Sequence, residues 1–189
     1  MPMNLPNLVT LLRIVLIPLI VAVFYLPDAW LDAGGRNVAA TAIFVVAALS
    51  DWLDGWLARK LNQMSAFGAF FDPVADKLVV VGALIVLLTL GRVDMVVGLI
   101  IVGREIAISA LREWMAQIGQ AKSVAVAYIG KLKTAAQMVA IPLLLYDDPL
   151  FGGSLDCHLL GTALIYAAAV LTVMSMLYYL RRALPLLRA

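Results

Sequence analysis

Stretches of roughly 20 largely apolar residues recur along this chain, and that is the length a helix needs to cross a bilayer. They fall at approximately 8–26, 38–57, 73–90, 93–112, 127–146 and 159–180, with short polar connections between them. In hydrocarbon every backbone N–H and C=O must be satisfied by the protein itself, so only helices or closed barrels can span. Continuous apolar runs, rather than alternating ones, specify helices. The expected fold is therefore all-α, a polytopic integral membrane protein with six transmembrane helices. Composition agrees: 64% of residues are apolar, 14% are charged and the mean hydropathy is +1.00. A soluble domain carries about a quarter charged residues.

No linker, low-complexity tract or long-period repeat interrupts the pattern, so residues 1–189 are expected to form one transmembrane domain. The first apolar run is long for a signal peptide's core and no small-residue cleavage site follows it, so no cleavable signal is expected. Cys157 is the single cysteine, which excludes a disulfide framework and a thiolate metal cluster. The net charge of +2 is small, and no nucleic-acid partner is expected.

The distribution of that charge is more informative. If six spans place both termini on one side, the connections near 58–72 and 113–126 share it. Arg13, Arg59, Lys60, Lys77, Arg104, Arg112, Lys122, Lys131, Lys133, Arg181, Arg182 and Arg188 fall on or towards that side, and only Arg36 and Arg92 on the other. The positive-inside rule then puts both termini in the cytoplasm. The opposite connections hold Asp28, Asp32, Asp94, Asp147, Asp148 and Asp156.

Asp51, Asp54, Asp72 and Asp76 stand at the cytoplasmic ends of the second and third spans. Spacings of three and four stack side chains on one helical face, about 5–6 Å apart at Cβ. Two neighbouring helices can thus aim four carboxylates at one space near the membrane surface. On insertion scales a carboxylate at a helix centre costs about 2.5–3.5 kcal/mol, a cost that protonation or divalent cations would relieve. Hard oxygen donors without nearby His or Cys suit Mg²⁺ or Mn²⁺, and paired ions bridged by carboxylates suit phosphoryl displacement. The plainer reading is a solvated acidic face. Against it stand Gly55, Ala58 and Gly68, whose small side chains let a ligand or second backbone approach. Arg59 adds a cation suited to a phosphate oxygen.

The pattern Asp51-x2-Asp54-Gly55-x2-Ala58-Arg59-x8-Gly68-x3-Asp72-x3-Asp76 resembles the signature of the CDP-alcohol phosphotransferase family at all eight positions. The resemblance implies a two-metal site for the donor's cytidine diphosphate. It makes Asp51, Asp54, Asp72 and Asp76 metal ligands, and Asp76 also the base that deprotonates the acceptor hydroxyl. It places Gly55, Ala58, Arg59, Ser65 and Gly68 at the nucleotide pocket. "NLPNLVTLLR" is similar to the family's Asn-x2-Thr element, which would bring Asn7 and Thr10 to the nucleotide. By its position Asn7 is equally a helix cap.

A second cationic set bears on the acceptor. Arg104 and Arg112 lie eight apart in "VVGLIIVGREIAISALREWM", on nearly one face, and Lys131 and Lys133 open the fifth span. Counting about 1.5 Å per residue from Val93 leaves Arg104 within the hydrocarbon, where it needs a partner or an anionic ligand. The four cations would bind a phosphate that the acceptor already carries. The plainer alternatives are an ion pair of Arg104 with Glu105 or an aspartate, and interfacial snorkelling for the lysines. Of the two lysines, Lys131, three before Thr134, is the one expected to reach the pocket.

The segments "FDPVADKL", "REIAISALREWMAQIG" and "SVAVAYIGKLKTAAQM" resemble the branch of the family that serves phosphatidylglycerol biosynthesis. This implies transfer of a phosphatidyl group from CDP-diacylglycerol to sn-glycerol 3-phosphate in a bacterial inner membrane, with a cytoplasmic active site and a homodimeric assembly. Other acceptors, namely phosphatidylglycerol, inositol phosphate or serine, remain open at this point. A cation transporter should instead show carboxylates at mid-bilayer and often repeat symmetry. Intramembrane prenyltransferases resemble a longer fold with two separated aspartate motifs.

Overall fold

The computed structural model describes residues 5–60, 66–120 and 128–187, apart from the side chains of residues 5–7, 52, 54–59, 66, 67, 69, 182 and 185–187. Among the described residues the chain is all-helical. It runs α1 (Leu5–Val23), α2 (Ala33–Lys60), α3 (Ala66–Thr89), α4 (Met95–Gln117), α5 (Tyr128–Tyr146), a 3-10 turn at Phe151–Gly153, and α6 (Cys157–Leu187). The most extensive pairing is α5 with α6, followed by α1 with α2 and α3, then α2 with α5 and α4 with α6.

The helices outrun the apolar stretches that betray them. α2 begins five residues before its apolar run, α3 seven before, and α6 continues seven beyond. The pair Asp72 and Asp76 therefore lies inside α3 rather than at its first turn, with Pro73 within the helix. Two helical segments, Ala33–Asp51 and Cys157–Arg181, are long and apolar enough to cross a membrane by length and composition, and Leu8–Val23 is a shorter apolar one. Charges set the others apart: Asp72, Asp76 and Lys77 on α3, Arg104, Glu105, Arg112 and Glu113 on α4, Lys131 and Lys133 on α5.

The exterior is apolar in a way a water-facing surface is not. Val15 is 62% exposed, Leu99 71%, Ile106 65% and Val170 61%, each on a different helix or turn of helix. Exposed large apolar side chains spread over successive helices suit a hydrocarbon surround.

Each inward-facing stripe changes character along its helix. α1 buries Thr10 and Arg13 and then Ile20 and Val23. α5 buries Lys133 and Gln137, then Ala140, Ile141, Leu144 and Leu145, and α6 runs from Ile165 and Ala169 to Thr172, Ser175 and Tyr179. Phe44, Val79, Leu84, Leu87 and Ile101 complete the apolar core with the apolar ends of these stripes. Because neighbouring helices run in opposite directions, the polar ends gather at one end of the bundle. Tyr179, whose position near a span end suggests an interfacial anchor, is instead buried with Ile108, Met115 and Ala183 between α4 and α6.

The other end is held by caps and one arginine. Asp32, Asp94 and Asp156 accept hydrogen bonds from the amides of Gly35 (2.8 Å), Val96 (2.8 Å) and Leu159 (2.9 Å), opening α2, α4 and α6. A carboxylate there satisfies orphan N–H groups and faces the positive end of the helix dipole. Arg92 donates to the carbonyls of Leu144 (3.1 Å) and Leu145 (2.9 Å) and to Asn37 Oδ1 (2.9 Å). It also pairs with Asp147 (3.0 Å), which in turn meets His158 Nδ1 at 2.7 Å. One guanidinium thereby joins the α3–α4 turn to α2, α5 and the start of α6. The turn itself needs Gly91, at φ +70°, to end α3.

Close approach of α5 and α6 depends on Gly161. A Cβ there would lie 2.7 Å from Leu144 Cγ and 3.3 Å from the Ala140 carbonyl oxygen, whereas one on Gly103 would meet nothing within 4 Å. Gly161→Val is expected to lower the thermal midpoint in detergent, corresponding to about 1–3 kcal/mol of overpacking. Gly103→Ala is expected to leave the midpoint unchanged or slightly raised.

Candidate active site

Thr10 and Arg13 are three apart, on the buried face of α1. Thr10 Oγ1 donates to Asp72 Oδ1 at 2.7 Å. Arg13 Nη1 donates to Asp51 Oδ1 at 3.0 Å and also to Asp76 Oδ1. Only 1% of the Arg13 side chain is exposed, while Asp51 and Asp76 are half open, at 50% and 45%. One face of α1 thus gathers carboxylates from α2 and α3, and the acids keep an accessible side.

That accessible side opens into a cavity of about 1010 Å³. Arg13, Asp51, Asp76 and Lys77 form part of its wall, and Arg104, Glu105, Arg112 and Gln137 form another. Arg104 donates from Nη2 to Ser175 Oγ at 3.0 Å, lies 3.5 Å from Glu105 through Nη1, and stands 5.9 Å from the Tyr179 ring centroid. Glu105 also takes the ammonium of Lys133, which is 1% exposed. Two cations thus flank one carboxylate, and Glu113 lines the same wall. Arg112, one face along α4 and exposed, completes it.

These placements sort the residues singled out in the sequence. Asp51 and Asp76 converge on one nitrogen, Asp72 is held by Thr10, and Arg104 and Arg112 share the cavity wall. Gly68 is buried in the first turn of α3. Lys133 turns inward, in register with Gln137 and Ala140, and Lys131 is exposed on the other face of α5. Ser65 and the side chains of Asn7, Asp54, Gly55, Ala58 and Arg59 lie outside the described residues.

Arg13 has a role that its sequence position did not suggest, since there it counted only towards the side of the membrane. The available signal was an ionisable residue inside an apolar run, which needs a partner by default. Glu105 carried the same signal.

The donor set fits a hard cation. Asp51 and Asp76, from different helices, bring oxygen donors together at Arg13 and each keeps a half-exposed side. Among the described residues no three acidic, histidine or cysteine side chains come close enough to enclose an ion, and the fourth aspartate of the pattern, Asp54, is outside them.

The family model for CDP-alcohol phosphatidyltransferase matches residues 3–174. A protein of Escherichia coli (strain K12) named CDP-diacylglycerol–glycerol-3-phosphate 3-phosphatidyltransferase is 48% identical over 191 residues, covering 97% of this chain and 96% of the relative. Relatives of the same name from Shigella flexneri serotype 5b (strain 8401) and Salmonella choleraesuis (strain SC-B67) are 48% and 47% identical over the same shares. With the match running over nearly the whole chain and through both charged walls of the cavity, this protein belongs to the CDP-alcohol phosphatidyltransferase family.

Proposed function

We propose that the protein transfers the phosphatidyl group of CDP-diacylglycerol to sn-glycerol 3-phosphate, giving phosphatidylglycerol phosphate and CMP, the activity for which its relatives are named. One observation carries the reading: a single cavity joins the aspartates that Arg13 gathers to the cationic set around Arg104. A donor diphosphate bound through cations and a phosphate-bearing acceptor need carboxylates and guanidinium groups side by side.

In the proposed reaction the primary hydroxyl of glycerol 3-phosphate attacks the phosphorus that carries diacylglycerol, in line with the departing CMP. The P–O bond to CMP breaks, CMP keeps the bridging oxygen, and the hydroxyl proton passes to the Asp76 carboxylate. Arg104 and Arg112 hold the acceptor's phosphate so that its free hydroxyl faces the reacting phosphorus, a matter of positioning. Lys133 orients Glu105 and with it Arg104, whereas Lys131, exposed on the other face of α5, does not line the cavity. Asn7, Thr10, Gly55, Ala58, Arg59, Ser65 and Gly68 are assigned to the nucleotide. Divalent ions, Mg²⁺ or Mn²⁺ and two in number, would be held by Asp51, Asp54, Asp72 and Asp76 and would neutralise charge developing on the diphosphate.

The chain would form one domain of six spans in a bacterial inner membrane, with both termini and the active site cytoplasmic. The excess of Lys and Arg at the polar end supports this orientation. A homodimer is the proposed assembly, on the family resemblance alone.

Purified protein with Mg²⁺ is expected to release CMP from CDP-diacylglycerol only when glycerol 3-phosphate is added. Serine, inositol phosphate or phosphatidylglycerol should not substitute, and turnover with one of them instead would reassign the acceptor. Asp76→Asn is expected to lower kcat by at least about 10²-fold, the usual span for a general base. Near-normal turnover in that variant would remove Asp76 from the role. Arg112→Ala, at an exposed side chain, is expected to raise KM for glycerol 3-phosphate by roughly 10–100-fold, the worth of a charge-assisted hydrogen bond. KM for CDP-diacylglycerol should hardly move, and equal losses for both substrates would contradict the assignment.

A further inference from the structure

The mechanism leaves one buried polar side chain on the cavity wall without a task. Gln137 is 3% exposed, one turn beyond Lys133 on the inward stripe of α5. Its amide nitrogen is buried and has no hydrogen-bond partner among the described residues, and the same holds for Arg104 Nε. Neighbouring hydroxyls on the wall are engaged already. Ser109 donates to the Glu105 carbonyl at 2.6 Å, and Thr134 donates to the Gly130 carbonyl at 3.0 Å. A buried donor left unpaired is destabilising, and an apolar residue of similar shape would avoid that penalty. Gln137 continues into Ala140, Ile141 and Leu144 on the same face, where an apolar side chain would fit the pattern. Its amide is poorly explained as packing and well explained as one half of a hydrogen bond to a ligand.

We propose that Gln137 is a specificity residue that binds the secondary hydroxyl of the acceptor. This rests on the functional reading above. The cations Arg104 and Arg112 take the phosphate, and Asp76 faces the primary hydroxyl that reacts. The group between them on glycerol 3-phosphate is a neutral hydroxyl, both donor and acceptor. A carboxamide, with donor and acceptor of its own, matches that group in a way that neither an ammonium nor a carboxylate does. A site built to hydrogen-bond a hydroxyl also discriminates against an analogue without it, because the buried amide is then left unpaired.

The test compares sn-glycerol 3-phosphate with 3-hydroxypropyl phosphate, which keeps the phosphate and the primary hydroxyl but lacks the secondary one. Wild-type protein is expected to favour glycerol 3-phosphate in kcat/KM by about tenfold or more. In Gln137→Met the preference should collapse, through loss on glycerol 3-phosphate alone, with KM for CDP-diacylglycerol unchanged. The thermal midpoint without substrates should stay level or rise, because an unpaired donor has been removed. Gln137→Leu should behave alike and stands in if the methionine variant misfolds. Discrimination that persists in both variants, equal loss on both acceptors, or a lowered midpoint would overturn the proposal. Wild-type protein that turns over neither acceptor would overturn the proposed activity and this inference with it, a result distinct from undiminished discrimination.

Discussion

A guanidinium that is almost wholly enclosed must be paired, and Arg13 is paired with two carboxylates brought by two other helices. Removing one side of such an arrangement leaves an uncompensated buried charge, at a cost of roughly 3–5 kcal/mol. The same requirement fixes geometry. For Arg13 to be satisfied, α2 and α3 must present Asp51 and Asp76 to one point on α1, and Thr10 then falls within reach of Asp72. Asp51 and Asp76 remain half exposed on their other side. They are held by the protein without being used up by it, which is the condition for binding anything else.

The same economy recurs across the cavity with the charges reversed. Glu105 stands between Arg104 and Lys133, so one anion is shared by two cations. Ser175 and the Tyr179 ring support the guanidinium from α6. One wall presents the half-exposed carboxylates of Asp51 and Asp76 and another the guanidinium groups of Arg104 and Arg112, in one continuous space. The core between the two polar ends is apolar, and beside it low dielectric strengthens electrostatic attraction at the cavity. The proposed pair of substrates matches that polarity, a diphosphate with its cations on one side and a phosphomonoester on the other.

The sequence revealed the helices well and their cross-links poorly. Apolar runs located α1 to α6, because hydrophobic length is a local property. They missed the first turns of α2 and α3 and the last turns of α6, where polar residues continue a helix that no longer needs to be greasy. The aspartates of the acidic loops read as a charge bias, although Asp32, Asp94 and Asp156 are caps that local rules could have named. Arg13 announced only that it needed a partner, and which one depended on how the helices pack; for Glu105 the sequence offered its neighbour Arg104, a pair the structure contains, and packing added Lys133. Lys131 and Lys133 differ by two positions, and the choice between them turned on the register of α5. That register follows from the apolar residues further along, Ala140, Ile141 and Leu144, and extrapolating it backwards selects Lys133 and Gln137 together.

Two ends of one bundle are built by different means, and the difference bears on function. Far from the cavity, Arg92 binds two carbonyls at the end of α5, Asn37 of α2 and Asp147, while Asp147 holds His158 of α6. Tight interlocking at Gly161 and around Phe44 continues that closure through the middle. With the helices fixed relative to one another there, their polar ends can stand apart around a cavity of about 1010 Å³ without the bundle collapsing onto it. Closing that space would strip water from the half-exposed carboxylates of Asp51 and Asp76 and from the exposed side chain of Arg112. That desolvation cost opposes collapse at the cavity, while rigidity at the opposite end fixes the helices from which these side chains project.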